Sequence, residues 1–341
     1  MKVLVTGTEG YLGCLLAPML IDAGHDVVAV DAGFYKNGWL YNGLTSTALT
    51  LEKDMRNLTP QDFEGVDAVV AMAELSNDPV GDLVGPLTFE INHKGSSHVA
   101  STAKKAGVER FVYMSSCSVY GVADGTVDET SPVNPQTAYG ECKYLTEKDL
   151  WDLADDDFHP VALRNATAFG ASPRQRFDIV LNNLAGLAWV EKKIAMTSDG
   201  TPWRPMAHAL DLCKGIMTML EAPVEKIHGE AFNIGGNENN YTVREIAETV
   251  AGEFPGCELS FGEPGQDNRS YKVSFDKVKD TLGYTPDWDL KAGAKQLHEV
   301  FEAIQLDAET FYGRGHTRLK QIDYLLKTGQ VDEKLFWKRE W

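Results

Sequence analysis

A tyrosine and a lysine, Tyr139 and Lys143, stand four residues apart in a stretch with a helical pattern. Side chains at this spacing lie on one face of a helix. A neighbouring ammonium favours the phenolate, so Tyr139 could act as a general base near neutral pH, although free tyrosine titrates at about 10. The spacing alone is common, but residues 115–121 place several hydroxyl groups at the end of a predicted strand upstream. Together these features predict a proton-transfer site.

Three glycines near the N-terminus form a second group of residues with chemical potential. Gly7, Gly10 and Gly13 follow the first predicted strand directly and open a helix. Glycines at these positions permit a tight turn, a close approach of the backbone to a pyrophosphate and close packing of helix on strand. The N-terminus of the helix then faces the anion. The pattern therefore predicts a binding site for a dinucleotide.

An acid at the end of the next predicted strand, Asp31, has the spacing expected of a ribose ligand. Its carboxylate would accept hydrogen bonds from the adenosine hydroxyls and would repel a 2′-phosphate. NAD is therefore favoured over NADP, and Lys36 is the only nearby base that argues for NADP. The alternative interpretation is a purely structural glycine turn followed by an aspartate that faces solvent.

These residues lie on alternating predicted strands and helices, a pattern typical of β-α-β units. Most predicted strands are continuously apolar, as expected when helices cover both faces of a parallel sheet. The sequence thus predicts an α/β fold with a doubly wound parallel sheet. The predicted strands cover residues 2–6, 26–31, 67–72, 110–115 and 160–164, and the predicted helices cover residues 12–23, 88–106 and 138–153.

The character of the sequence changes after Gly170, where Pro, Gly and Asn become frequent and arginines are scattered. We expect a smaller α/β lobe there, with a capped helix over 242–254 and a mostly helical tail from residue 292. A further strand is predicted over 231–235. The expected division is a cofactor-binding domain over 1–170 with a returning segment near 205–236, a substrate-binding lobe over 171–204 and 237–330, and a C-terminal tail over 331–341.

Length, charge and cysteine content exclude several classes of protein. The 341 residues include 32 Lys plus Arg against 50 Asp plus Glu, a formal net charge of -18. This balance argues against nucleic acid or an anionic membrane surface as a partner, because both attract clustered basic residues. The five cysteines are widely spaced and form no C-x-x-C pair, which is typical of reduced thiols rather than disulfides or a metal site. No apolar stretch reaches membrane-spanning length and no leader pattern precedes the first strand, so we expect a cytoplasmic protein.

Taken together, these blocks resemble the extended short-chain dehydrogenase/reductase family, specifically its NAD-dependent nucleotide-sugar epimerases and dehydratases of the UDP-galactose 4-epimerase type. The resemblance extends over nearly the whole chain and implies a Rossmann-like fold, NAD as cofactor and a nucleotide-diphosphate sugar as substrate. The further markers are residues 53–56 and 71–73, Asn92, Leu163 with Arg164, residues 199–204 with His208 and Asp211, and residues 267–269.

The resemblance also implies roles for individual residues. Ser116 would orient the sugar oxygen, Tyr139 would be the base, and Lys143 would activate Tyr139 and bind the nicotinamide ribose. The residues implied to contact NAD are Gly7, Gly10, Tyr11, Leu12, Gly13, Asp31, Asp54, Met55, Met72, Ala73, Ser76, Asn92, Tyr139 and Lys143. The residues implied to contact the substrate are Ser116, Thr167, Arg174, Arg176, Asn183, Arg204 and Arg269.

The sequence departs from the family pattern at several positions. Ala71 replaces the usual His, Glu74 replaces a small residue, and Thr167 replaces an Asn that contacts phosphate, a loss for which Arg174 and Arg176 could compensate. For Glu74, a hydrogen bond to a loop is favoured over contact with substrate.

The residues directly after Ser116 bear on the type of reaction. The family's 4,6-dehydratases carry an Asp-Glu pair there, whereas this chain has Cys117 and Ser118. Neither residue easily replaces a carboxylic acid-base pair, so oxidation followed by re-reduction is favoured over dehydration. Cys117 could in principle act as a thiolate base in a 3,5-epimerase, but a packing role is favoured.

These observations predict an NAD-dependent epimerase that acts through a transient 4-keto sugar. The alternatives are a nucleotide-sugar 4,6-dehydratase or 4-ketoreductase of the same family and, more remotely, a non-catalytic dinucleotide-sensing protein. The resemblance further implies a homodimer in which the helices over 88–106 and 138–153 pair as a four-helix bundle. Neither the sugar nor the base of the substrate follows from the sequence.

Overall fold

A seven-stranded sheet lies at the centre of the molecule in the computed structural model, which describes residues 1–42, 48–76, 85–123, 125–264 and 270–338. The strands are β1 (Lys2–Thr6), β2 (Asp26–Asp31), β3 (Thr50–Glu52), β4 (Ala68–Ala71), β5 (Arg110–Ser116), β6 (Thr126–Val127), β7 (His159–Asn165), β8 (Thr167–Phe169), β9 (Lys193–Ala195), β10 (Trp203–His208), β11 (Glu230–Ile234), β12 (Asn240–Thr242), β13 (Glu258–Ser260) and β14 (Lys272–Val273). The central sheet has the order β11-β7-β5-β4-β1-β2-β3, and every neighbouring pair is parallel. The predicted doubly wound α/β fold is confirmed.

Helices connect the strands and cover the sheet on both faces. They are α1 (Gly13–Asp22), α2 (Gly85–Thr88), α3 (Ser96–Lys105), α4 (Ala138–Leu153), α5 (Val180–Val190), α6 (Ala209–Glu221), α7 (Val224–Ile227), α8 (Val243–Glu253), α9 (Asp276–Leu282), α10 (Leu290–Ile304), α11 (Ala308–Tyr312) and α12 (Arg318–Lys327). A π-helical stretch, Phe89–Gly95, joins α2 to α3 without a break. Shorter 3-10 turns lie at Met55–Asn57, Pro60–Phe63, Cys117–Tyr120, Asn237–Asn239 and Arg314–His316.

The continuous apolar runs of the central strands follow from burial on both sides. Successive side chains of a strand point to opposite faces. Val3 and Val5 of β1 accordingly pack in one core cluster with α1 and α6, while Leu4 packs in another with α3 and α4. A strand with two buried faces needs apolar residues at every position, which is the pattern that the sequence shows.

The described structure also contains three smaller sheets and a third core cluster. The sheets are β12-β10-β8, β13-β9 and β14-β6. The third cluster contains residues of α5, α8 and α10, with Phe177 and Phe311 among its aromatic members. The residues of α12 pack elsewhere: Ile322 and Leu325 belong to the cluster that contains Leu4 of the central sheet.

Most predicted elements agree with the structure to within three residues at each end. The helix predicted over 138–153 has those bounds, and the capping box predicted for the helix over 242–254 joins Thr242 to Glu245 at the start of α8. Strand β3 was not predicted because it has only three residues, lies at the edge of the sheet and is largely exposed. The tail contains α10, α11 and α12, but its last described residues are not helical and form a bridge between Val331 and Trp337.

The topology creates a crevice at the carboxyl ends of the strands. From β1 the chain continues to β2 and β3 on one side, whereas β4 and β5 lie on the other. Such a reversal of strand order leaves room between the connections, where ligands bind in open α/β sheets. No helix within the described ranges is both long and apolar enough to cross a membrane.

Candidate active site

A cavity of about 910 Å³ opens at this crevice. Its walls include the loops that follow β1, β2, β3, β4, β5, β7 and β8, the first turns of α4, and Arg318 at the start of α12. The sequence-predicted site residues that line it are Gly7, Gly10, Tyr11, Leu12, Gly13, Asp31, Asp54, Met55, Met72, Ala73, Ser76, Ser116, Tyr139, Lys143, Thr167, Arg176 and Arg204.

The glycine loop closes the floor of the cavity beneath the start of α1. Gly7 has a φ of +85°, and a Cβ there would lie 3.1 Å from the backbone of Ala73. A Cβ on Gly13 would lie 2.1 Å from the carbonyl oxygen of Gly7, so a larger residue cannot fit without moving the loop. Thr6 Oγ1 accepts hydrogen bonds from the Met72 and Ala73 amides, at 3.1 and 3.2 Å, and ties the loop to the end of β4. The loop is thus a tight backbone cradle of the kind that holds a pyrophosphate.

Asp31 lies at the end of β2, beside this cradle. Its carboxylate accepts hydrogen bonds from the amides of Gly33, at 2.7 Å, and Glu9, at 3.0 Å. Burial raises the pKa of the Asp31 carboxyl, and the two amide donors partly offset that rise. A preorganised acceptor at this distance along the strand fits a ribose diol. Glycine cradle and acid together therefore fit a dinucleotide such as NAD.

Tyr139 and Lys143 project from the first turns of α4, as the spacing predicts. The helix begins at a Thr137 cap, whose Oγ1 accepts from the amide of Gly140 at 3.1 Å. Lys143 Nζ lies 5.4 Å from the centre of the Tyr139 ring and donates a hydrogen bond to the Met114 carbonyl oxygen of β5. The ammonium is therefore held close to the phenol by a contact to the central sheet.

Glu74 forms an ion pair with Lys143, an arrangement that the sequence analysis missed. Its Oε2 lies 2.7 Å from Lys143 Nζ. Its Oε1 accepts from the hydroxyls of Tyr113 and Ser96, both at 2.9 Å. Glu74 lines the cavity and contacts the predicted catalytic lysine, whereas the sequence favoured only a hydrogen bond to a loop. The acid at position 74, where the family has a small residue, was a signal in the sequence. No neighbouring residue in the sequence identified Lys143 as its partner.

Ser116 ends β5 and lines the cavity, whereas the next residue, Cys117, turns into the core. The Cys117 thiol donates to the Arg164 carbonyl oxygen at 3.1 Å, and burial raises the pKa of the thiol far above its ordinary value. A thiolate base at this position is therefore disfavoured. Ser118 lines the cavity, but its side chain is a hydroxyl and not a carboxylic acid.

A buried ion pair braces the ends of β5 and β7 behind the site. Arg164 Nη2 donates to Glu147 Oε2 of α4 at 2.7 Å, and Arg164 Nη1 donates to the hydroxyl of Tyr120 at 3.1 Å. Ser115 Oγ donates to the same carboxylate at 2.5 Å. Burial alone would lower the pKa of Arg164, but the Glu147 carboxylate outweighs it and raises that pKa. The network ties the helix that carries Tyr139 to the strand that ends at Ser116.

The predicted substrate residues divide into two groups. Thr167, Arg176 and Arg204 line the cavity, and Arg176 donates to Asp178 at 2.8 Å and to Ser76 Oγ at 3.0 Å. Arg174 is not among the lining residues: it forms an ion pair with Glu9 of the glycine loop and donates to the carbonyl oxygens of residues 35 and 36. The ion pair with Glu9 sets the orientation of the Arg174 side chain, and Glu9 competes with any substrate for the guanidinium.

Two further predicted residues are not brought to the cavity wall, and a third cannot be placed. Asn92 is fully buried and braces the loop after β4 through two hydrogen bonds of 2.9 Å with the main chain of Leu75. Asn183 donates to the Phe177 carbonyl oxygen at 2.9 Å. Arg269, with the rest of residues 265–269, lies outside the described residues.

Several lining residues were not predicted as site residues. They are Tyr35 after β2, Glu74 after β4, Asp178 before α5, Tyr271 before β14 and Arg318 at the start of α12. Most come from loops or from the C-terminal part of the chain, where no motif marks them. Within the described ranges, no three His, Cys, Asp or Glu side chains converge as a metal site requires.

Comparison with known proteins places this geometry among related chains. The model of the NAD dependent epimerase/dehydratase family matches residues 3–235. The chain is 28% identical over 317 residues to the uncharacterized UDP-glucose epimerase YtcB of Bacillus subtilis, covering 86% of this chain and 95% of that protein. It is also 28% identical over 331 residues to a UDP-glucose 4-epimerase of the same species, covering 87% of this chain and 94% of that protein. MoeE5, solved with UDP-glucuronic acid and NAD, is 26% identical with a TM-score of 0.76, covering 89% of this chain and 99% of MoeE5.

Proposed function

Because this chain belongs to the NAD dependent epimerase/dehydratase family, NAD is its cofactor, and we propose that it is an epimerase of a nucleotide-linked sugar. The observation that carries the proposal is that Ser116, Tyr139 and Lys143 line one cavity with the glycine loop and Asp31. A dinucleotide and a proton-transfer group are thus combined in a single site. The likeness to UDP-glucose 4-epimerases supports a UDP-linked hexose as the first substrate to test.

In the proposed reaction, the glycine loop and Asp31 would hold NAD, which would supply reversible hydride transfer at C4 of the sugar. Tyr139 removes the proton of the 4-hydroxyl group and gives it back in the second half of the cycle. Lys143 favours the phenolate through its charge. Ser116 donates a hydrogen bond to the sugar oxygen that becomes the 4-keto oxygen. The sugar must rotate between the two steps so that its other face receives the hydride.

The acids of the cavity argue against a 4,6-dehydratase as the primary activity. The described lining residues include four carboxylates, and each has a partner: Asp31 with two amides, Asp54 with Arg56, Glu74 with Lys143 and Asp178 with Arg176. Dehydration needs an acid and a base placed on the sugar. The residues after Ser116 supply a buried thiol and a hydroxyl instead.

One experiment tests the reaction class directly. The purified protein is incubated in D₂O with UDP-, GDP-, CDP- and dTDP-linked hexoses, and the products are followed by NMR. We expect a new sugar epimer without deuterium on carbon, since the hydride is internal. Deuterium on C5 or C6 with a 4-keto-6-deoxy product would assign the dehydratase alternative instead.

Cofactor stoichiometry distinguishes the remaining alternatives. An epimerase recycles its NAD, so the protein should purify with nucleotide and turn over without added NADH. Stoichiometric consumption of NADH would identify a 4-ketoreductase. Binding of NAD without turnover of any sugar would favour the dinucleotide-sensing alternative.

The proposal extends to organisation and location. The substrate-binding lobe would comprise residues 171–204 and 237–330, with the remainder of the first 236 residues holding NAD.

A homodimer through α3 and α4 is supported by their side-by-side packing, in which Ser97 Oγ donates to Asp149 at 2.5 Å, and by half-buried Leu145 and Trp151 on α4. Sedimentation as a monomer at micromolar concentration would refute the dimer. Five free cysteines support a reducing compartment such as the cytoplasm.

A further inference from the structure

The C-terminal segment, defined here as residues 314–338, folds back over the loop that follows β2. Gln321 Nε2 donates to the Phe34 carbonyl oxygen at 2.8 Å, and Trp337 Nε1 donates to that of Ala32 at 2.6 Å. The guanidinium of Arg318 stacks on the ring of Tyr35, 4.0 Å from its centre. The segment therefore forms part of the cavity wall beside Asp31, the predicted ribose ligand.

Arg318 is the residue through which this segment reaches the cavity. It lines the cavity although only 3% of the residue is exposed. Its main-chain amide donates to Asp178 Oδ2 at 3.0 Å, but within the described part of the chain its guanidinium donates no hydrogen bond. Burial, reinforced by the neighbouring charge of Arg176, lowers the pKa of Arg318 to about 10.

The other buried arginines provide a comparison within the same molecule. Arg164 donates to Glu147, Arg174 donates to Glu9, and Arg176 donates to Asp178. Among the buried arginines of the described ranges, Arg318 alone has a guanidinium without a hydrogen-bonded protein partner. A guanidinium that lines the cavity without a hydrogen-bonded protein partner has donors available for an anion bound there.

The surroundings of Arg318 indicate which anion this is. The described groups that act on its charge include Asp31 and Tyr35, both on the cofactor side of the cavity, together with Arg176 and Asp178. In a chain with a net charge of -18, a doubly charged diphosphate needs cations placed locally. A guanidinium can donate two parallel hydrogen bonds to phosphate oxygens.

We propose that Arg318 binds the diphosphate of NAD, so that the C-terminal segment forms part of the cofactor site together with the glycine loop. Arg318 lies within the range proposed above for the substrate-binding lobe, so this part of the lobe would contact the cofactor. The proposal rests on NAD as the cofactor, as stated above. A nucleotide sugar also carries a diphosphate, and the experiment separates the two sources.

The test compares wild type with Arg318→Met and Arg318→Lys by calorimetric titration of nucleotide-free protein. NAD, ADP and adenosine are titrated into each protein, and UDP is titrated into the NAD-loaded forms. We expect Arg318→Met to lose at least about tenfold in affinity for NAD and ADP, with adenosine within about twofold, and Arg318→Lys to fall between. The matched control is Arg314→Met, since Arg314 belongs to the same segment but stacks on Tyr324 and does not line this cavity.

A stability measurement excludes a merely structural role. If the role of Arg318 is to bind an anion, the melting temperature of nucleotide-free Arg318→Met should equal or exceed that of nucleotide-free wild type. The rise in melting temperature on addition of NAD should be smaller in the variant than in wild type. Unchanged affinity for NAD, or equal losses for adenosine and ADP, would overturn the proposal. Weaker UDP binding with unchanged NAD binding would assign Arg318 to the substrate and overturn it as well. If wild type itself did not bind NAD, the cofactor assignment would fail instead.

Discussion

The ammonium of Lys143 lies 2.7 Å from Oε2 of Glu74, and their side chains are only 4% and 3% exposed. Burial alone would lower the pKa of Lys143, but the Glu74 carboxylate, with a smaller contribution from Tyr139, outweighs burial and raises that pKa. Glu74 thus keeps Lys143 charged and also cancels part of the field that this charge exerts on Tyr139. We regard Glu74 as a positioning residue that acts through Lys143.

Replacing Glu74 with Gln keeps the size of the side chain but removes its charge. Without the carboxylate, Lys143 should lose its proton at lower pH, and while charged it should favour the Tyr139 phenolate more strongly. Both limbs of the profile of kcat against pH should therefore move to lower pH, by about one unit or more. Steady-state kinetics across the pH range measures this shift.

Ser96→Ala is the control for Glu74→Gln, because Ser96 Oγ donates to Glu74 without carrying a charge. Among the described residues, the other titratable groups that act on this ion pair and on Tyr139 include Tyr113 of β5, Cys142 of α4 and Arg176, and neither variant alters them. If the Glu74→Gln profile coincided with that of wild type, the positioning role would be wrong.

Tyr139→Phe removes one hydroxyl group from the second residue of α4. Loss of a general base typically costs about a hundredfold to ten-thousandfold in rate, so turnover should fall by that range. The NAD content of the purified protein should not change. Tyr144→Phe, a half-buried tyrosine on the same helix that does not line the cavity, should behave as wild type. Retained activity in Tyr139→Phe would exclude Tyr139 as the base.

The elements that could be predicted from the sequence are those whose pattern is local. The apolar runs at β1, β4 and β5 were recognisable because both faces of these strands are buried. The glycine loop and the Tyr139–Lys143 spacing also carry their geometry within a few residues. Their placement in one cavity then follows from the rule that the loops at the carboxyl ends of parallel strands meet.

Contacts between distant parts of the chain could not be predicted in the same way. Arg174 and Arg176 are two residues apart, yet the first pairs with Glu9 of the glycine loop and the second lines the cavity. Neighbouring residues of an irregular loop can face different surroundings. Because such a loop has no regular period, the sequence does not show which way each side chain points. The partner of Glu74 and the approach of Arg318 from the C-terminal segment depend on tertiary packing for the same reason.

Cys117→Ala should leave turnover within about threefold of wild type. The thiol faces the core and bonds the Arg164 carbonyl oxygen, and burial raises its pKa, so it has no route to the sugar. Truncation of a small buried side chain should lower the free energy of unfolding by about 1 kcal/mol. Assays of activity and thermal melting check both statements. A Cys117→Ala variant that folds and binds NAD but has lost turnover would support Cys117 as a thiolate base.

Gly13→Ala should abolish or severely weaken NAD binding. The added Cβ would lie 2.1 Å from the Gly7 carbonyl oxygen and 2.6 Å from the Thr8 Cα, so the phosphate cradle must shift. Gly252→Ala is the matched control, because Gly252 lies in α8, where an added Cβ would meet no heavy atom within 4 Å and where alanine favours a helix. Calorimetric titration with NAD compares the two. Equal affinity in Gly13→Ala would show that the loop does not hold the pyrophosphate.

The buried histidine His208 should make stability depend on pH in the weakly acidic range. Its Nδ1 accepts from the Leu210 amide at 3.2 Å, its Nε2 lies 2.8 Å from Gln296 Oε1, and its ring stacks on Trp288. Burial lowers the pKa of His208 from 6.5 to about 4, against the raising effect of Gln296. Between these two values the unfolded chain binds the proton and the folded chain does not, so stability falls as the pH drops.

The contribution of His208 to the free energy of unfolding is fully present above pH 6.5 and is lost by about pH 4, at most about 3 kcal/mol. Urea unfolding at several pH values should show a shallower decline in His208→Gln than in wild type over this window. His298→Gln, which removes a half-buried imidazole of α10, is the control for the general effect of replacing a histidine. Because carboxylates also titrate in this range, the comparison concerns the difference between variant and wild type. Identical slopes in all three proteins would mean that His208 takes up its proton equally in the folded and unfolded states.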